Sequence, residues 1–173
     1  TPAAQVVVLA AVLGRMWITD EMTGAGLAEQ LGYTKMTMTR ALDELRQHGW
    51  VETQGARRFA RSRFVLTRRE LWERSRPYLR TPVIKRVYLD EWGSGMEYLA
   101  GEAALAKRTM LAGDDRLIWA MTKKQLDDFL RRNPAFVVPE ESRRAATMQI
   151  EVWRYDPALL AESPYVDPLS LAL

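Results

Sequence analysis

Apolar residues along this chain first gather in one run, residues 6–13 (VVVLAAVL), which Gly14 closes. The run is far too short to span a bilayer and predicts a buried first helix. A short β-leaning piece follows at 16–19. Residues 23–32 open on Thr23, a capping type, and stop at Gly32, which predicts a compact second helix. Thr34 then caps a third, residues 35–48, where Met38, Leu42 and Leu45 recur at i, i+4 and i+7 and so share one face. Gly49 ends it.

Two β-like runs come next, 50–54 and 62–67, joined by a stretch that starts at Gly55 and is rich in arginine, the pattern of a hairpin. Trp50, Val51, Phe64 and Leu66 are the residues expected to pack back onto the helices. Residues 67–76 are good helix formers up to Pro77, and 78–82 read as a connector. Beyond it, strand-like runs at 83–89, 117–121 and 148–155 are interspersed with helical stretches at 96–111 and 123–130, while 133–146 reads as a loop. The expected fold is α+β: an N-terminal domain over 1–68, a linker helix and connector over 69–82, and a mixed α+β domain over 83–173. No repeat at a fixed period is visible.

Composition narrows the chemistry. With 173 residues, 47% of them hydrophobic, the chain can bury a core in one large domain or two small ones. It has no cysteine and a single histidine, His48, which argues against disulfide scaffolds, thiolate zinc sites, cysteine nucleophiles and Ser/His triads. An enzyme here has to work with carboxylates. The lack of cysteine fits a reducing compartment, and the cytoplasm is the expected location. No lysine or arginine precedes residues 6–13 as a signal peptide requires, so a core helix is the expected reading. The chain opens on Thr1 and ends among Leu169, Leu171 and Leu173, which leaves a longer chain at either end open.

Charge changes the picture further. The net charge of +3 divides into −2 over residues 1–34, +9 over 35–86 and −4 over 87–173. A basic block of that density suits the phosphate backbone of nucleic acid, because each cation placed at a phosphate releases condensed counterions. A solvated basic face is the plainer alternative, and the motif inside the block has to decide between them.

That motif is LAEQLGYTKMTMTRALDELRQHGWV, which resembles the helix-turn-helix of winged-helix transcription regulators of the MarR type. Ala28, Leu31, Met38, Leu42 and Leu45 occupy the positions that hold the two helices together in that pattern. The resemblance implies that the third helix enters the major groove and that the hairpin is the wing. The DNA-binding candidates are Thr34, Lys35, Met36, Thr37, Thr39 and Arg40 on the helix and Arg57, Arg58, Arg61 and Arg63 on the wing. Arg40 suits the O6 and N7 acceptors of guanine, and Met36 a thymine methyl. Plainer readings stand beside these: Met36 packed under the second helix, Lys35 merely solvated, Asp43 and Glu44 paired locally with Arg40, Arg46 or Gln47, and His48 a charge partner at the helix end.

The second half offers little catalytic signal. Glu102, Asp114, Asp115 and Glu151 are the carboxylates a metal-dependent nuclease would need, but Arg154 stands where such enzymes commonly have lysine. Gly93-Ser94-Gly95 lacks the rest of a nucleotide-binding loop, so no cofactor or metal is expected. Trp119, Trp153 and Tyr155 read as core or interface aromatics. The runs LAGEAALAKRTML (99–111), IEVWRYDP (150–157) and YVDPLSLAL (165–173) resemble the C-terminal half of bacterial regulators related to AbiEi-type antitoxins of type IV toxin-antitoxin systems. That resemblance implies an autorepressing, non-enzymatic DNA-binding protein that opposes a nucleotidyltransferase-like toxin. The expected partners are double-stranded DNA, such a toxin and a second copy of the chain, with no membrane. The alternative is a stand-alone regulator whose second domain senses a ligand or only dimerises.

Overall fold

Each of the first three helices starts where a threonine hydroxyl takes up a free amide. The structure, a computed structural model, describes residues 1–15, 18, 21–55, 60–91, 93, 95–109, 116–133, 137–162 and 164–173. Helix α1 (Pro2–Leu13) has the Thr1 Oγ1 accepting from the Ala4 N–H at 3.2 Å and carries proline in its first turn. Residues 3–11 are all buried, as a helix apolar apart from Gln5 requires. Helix α2 (Gly24–Leu31) is capped by Thr23 and helix α3 (Lys35–Gln47) by Thr34. The turn between them passes through Gly32 at φ 64°, a left-handed conformation that a side chain would strain.

Strands β1 (Val51–Gln54) and β2 (Arg61–Phe64) pair antiparallel, Val51 opposite Phe64 and Gln54 opposite Arg61. On the far side of β2, Met22 and Ser62 exchange both backbone hydrogen bonds at 2.8 Å, which ties the approach to α2 to the hairpin. Helix α4 (Arg68–Ser75) begins with a reciprocal cap: the Glu70 N–H donates to Thr67 Oγ1 and the Thr67 N–H to Glu70 Oε2.

The chain divides into two compact units, Thr1–Leu79 and Arg80–Leu173. The helix expected to link two domains instead belongs to the first, because α4 packs on α1 through Leu71, only 1% exposed, and the buried Ser75.

The second unit is built on a four-stranded sheet in the order β3-β6-β5-β4, from strands β3 (Val83–Leu89), β4 (Tyr98–Leu99), β5 (Leu117–Thr122) and β6 (Met148–Trp153). Central β6 runs antiparallel to β3 and parallel to β5, and β4 runs antiparallel to β5. All six β6 residues are buried, because both faces are covered. On one face Met148, Ile150 and Val152 pack with Leu126 and Phe129 of helix α6 (Lys123–Arg132). The other face carries Glu151 and Ile118, and the first residue of helix α5 (Gly101–Arg108) lies against both. A short helix α7 (Pro168–Leu171) packs on α5.

Two expectations for this half need correction. The helix expected over 96–111 spans only Gly101–Arg108, because Tyr98 and Leu99 are held as strand by pairing with Ala120 and Trp119. The loop expected over 133–146 holds some structure: Val137 bridges Leu89, and residues Glu140–Ser142 form a 3-10 turn. Mixed α+β composition, with two sheets, is what the described residues hold. No helix among them is long and apolar enough to cross a membrane.

Candidate nucleic-acid interface

Helix α3 has two faces set by its period. Met38, Ala41, Leu42 and Leu45 are buried, Met38 fully so. At about 100° per residue, Met36, Arg40, Asp43 and Gln47 fall on the opposite face. Met36 is 62% exposed, so it does not pack under α2. Arg40 and Gln47 are exposed beside it, and Asp43 holds Arg46 at 3.0 Å. The outward face therefore presents a thioether, a guanidinium and an amide. Gln47 was not among the sequence candidates, although its spacing of i+7 from Arg40 is the signal that places it there.

The threonines of the same segment are occupied by the helix itself. Thr34 Oγ1 accepts from the Thr37 N–H at 3.1 Å, and the two hydroxyls lie 2.8 Å apart. Thr39 donates to the Lys35 carbonyl at 2.9 Å and abuts Gly24 at the start of α2. They fix the helix start and its approach to α2, while Lys35, exposed beside Thr39, extends a cation from the first turn.

That approach is close enough to test. A Cβ added at Gly24 would stand 2.6 Å from Thr39 Oγ1. Gly24→Ala is expected to cost about 1–3 kcal/mol in urea unfolding through overpacking, with Thr39→Ala in the same chain restoring most of it. A Gly24→Ala protein as stable as the parent would show that the helices separate freely.

On the hairpin, Arg61 and Arg63 are both exposed and lie two residues apart, hence on one side of β2. The inward side holds Ser62, hydrogen-bonded to Thr53 at 2.9 Å, and Val51. Arg63 Nη2 meets its cross-strand neighbour Glu52 at 3.4 Å, both exposed, a pair worth little in water and so easily surrendered to a phosphate. Arg57 and Arg58 lie outside the described residues. Lys35, Thr39, Thr23 and Arg61 border a groove of about 480 Å³ between α2, α3 and the hairpin. His48 caps α3 and stacks on Trp50 with ring centroids 4.4 Å apart, with Tyr78 tilted against it at 4.7 Å. Its contacts are those of an aromatic stack.

Of the four carboxylates considered for a metal in the second unit, two are described. Glu102 is exposed in the first turn of α5. Glu151 is buried, its oxygens accepting from Arg86 at 3.3 Å and from the Trp153 Nε1–H at 3.3 Å. Asp114 and Asp115 lie outside the described residues, and among those described no three His, Cys, Asp or Glu are grouped to hold a metal. No protein-family model, no curated protein and no solved structure matches this chain, so its function has to be argued from the arrangement of its own residues.

Proposed function

We propose that residues 1–79 form a winged helix-turn-helix unit, similar to those of MarR-type regulators, and that the protein is a sequence-specific DNA-binding transcriptional regulator rather than an enzyme. One observation carries this reading: Met36 and Arg40 stand exposed on the face of α3 opposite its buried stripe, beside a hairpin that turns Arg61 and Arg63 to solvent. A helix held by one face and offering a bidentate donor on the other is what major-groove readout needs, and exposed cations on an adjoining hairpin are what backbone contact needs. The +9 block over residues 35–86 supplies the field that draws a polyanion.

Sequencing the fragments that the full chain selects from random DNA tests this reading, and enrichment of no motif would defeat it. On the selected site, Arg40→Ala is expected to cost about 1–3 kcal/mol and to flatten preference at one base pair, with the melting temperature unchanged. Changing Arg61 and Arg63 together to alanine should weaken binding to all sequences alike and reduce the slope of log affinity against log salt by about 1.8, at roughly 0.9 per lost phosphate contact. An unchanged slope places the phosphate contacts elsewhere.

The similarity of residues 99–111, 150–157 and 165–173 to AbiEi-type antitoxins adds a further reading: a cytoplasmic autorepressor whose second unit opposes a nucleotidyltransferase-like toxin. Its test is relief of growth arrest when the full chain is expressed with a nucleotidyltransferase encoded beside it. Loss of operator binding on addition of a small molecule favours a ligand-sensing regulator instead.

A further inference from the structure

The two edges of the four-stranded sheet are finished differently. At β4 the outer edge is covered: the Leu99 N–H donates to the Pro164 carbonyl at 2.8 Å, and the Val166 N–H donates to the Leu99 carbonyl at 3.0 Å. At β3 only the far end is covered, where the Val138 N–H donates to the Tyr88 carbonyl at 2.9 Å. Residues along an antiparallel strand turn their N–H and C=O groups to alternate sides. Tyr88 therefore turns its carbonyl outward, and Arg86, two residues earlier, turns both its groups the same way. No described segment pairs with residues 84–87 on that side.

An open edge invites another strand, and what lines it selects which one. Ile84 is skipped in the pairing with β6, since Val83 meets Trp153 and Lys85 meets Val152, so it bulges out and is 54% exposed. Lys85 is exposed, and the Arg86 side chain is 54% exposed even though it reaches the buried Glu151. The edge thus offers main-chain donors and acceptors, one apolar seat and positive charge, within a half that is acidic beyond Arg86.

We infer that the β3 edge takes up an extended, acidic segment of another protein as an added strand, with an apolar side chain seated on Ile84. A second copy of this chain fits worse. Two β3 strands pairing antiparallel about Lys85 and Arg86 set like charges opposite one another, which destabilises a ladder, and the bulge at Ile84 interrupts its register. None of the DNA-contact candidates on α3 or the hairpin lies on this edge, so either reading can fail without the other.

The probe is a fluorescein-labelled peptide of alternating glutamate and valine, titrated with the full chain and read by fluorescence anisotropy. Binding is expected, with about tenfold or greater loss on Lys85→Glu, which removes the charge match, and on Ile84→Thr, which removes the seat. A peptide with proline at its centre loses a main-chain donor and should bind about tenfold more weakly, and a lysine-valine peptide should not bind. DNA binding by the Ile84→Thr protein, which keeps every charge, should match the parent's. Three results would overturn the inference: no binding of the acidic peptide, binding that is indifferent to the central proline or to both substitutions, or a concentration-dependent dimer that Ile84→Thr abolishes, which would identify a second copy as the occupant.

Discussion

Leu45→Ala is expected to lower the stability of residues 1–79 by about 2–5 kcal/mol, measured as a shift of the urea midpoint at unchanged slope. Leu45 is 1% exposed and lies in the stripe with Met38 and Leu42 on α3, the helix that packs against both α1 and α2. Removing its isopropyl group leaves a cavity in the buried stripe of the helix that both neighbours pack against. Gln47 lies two residues further along the same helix but on its open face, and Gln47→Ala is expected to leave the midpoint within about 0.5 kcal/mol of the parent. Should the two substitutions cost the same, the orientation of α3 is wrong, and with it the case for Met36 and Arg40 facing DNA.

The second large effect is expected from Phe129→Ala, at about 3–5 kcal/mol. Phe129 is 1% exposed, is in the cluster with Met121, Ile150 and Val152, and presses so near Gly93 that a Cβ there would sit 2.6 Å from its ring. Bare backbone on one side and sheet on the other leave little room for the site to collapse around a methyl group. Hydrogen exchange reads the outcome by region: amides of β3, β5 and β6 should lose protection while those of α1 and α3 keep theirs. Equal loss in both regions would mean that the two units unfold together.

The face of α3 was legible in the sequence because one period governs the whole helix, and Met38, Leu42 and Leu45 recur along it among mostly polar residues. The strand at 83–89 and the centre of the sheet were legible for a similar reason, as β-branched and apolar residues bounded by turn formers. Pairing, by contrast, is not written locally. Tyr98 and Leu99 read as the start of a helix, and only β5 makes them a strand. Gln149 and Glu151 suggest a strand with one wet face, yet both are buried, and it takes Arg86 and Trp153, one on another strand, to show how the carboxylate is satisfied. At the candidate interface, the resemblance to a recognition helix grouped Thr34, Thr37 and Thr39 with Lys35 and Arg40 by their place near its start. Whether a threonine hydroxyl faces a ligand or its own backbone depends on cap geometry, which one-dimensional spacing does not carry.

The position of β6 in the sheet also sets an order of assembly. The internal contacts of the first unit all lie among residues synthesised before Arg80, and its described hairpin closes between strands that are near neighbours in sequence. The second unit has to hold β3 and β5 apart until Met148–Trp153 emerges to pair with both. Local pairs close early and distant ones late, so translation yields a finished N-terminal unit followed by strands whose edges stay unpaired for most of the remaining synthesis. A message cut short between Leu89 and Met148 therefore releases a folded head carrying exposed strand edges, a species prone to aggregate, rather than a clean half-protein.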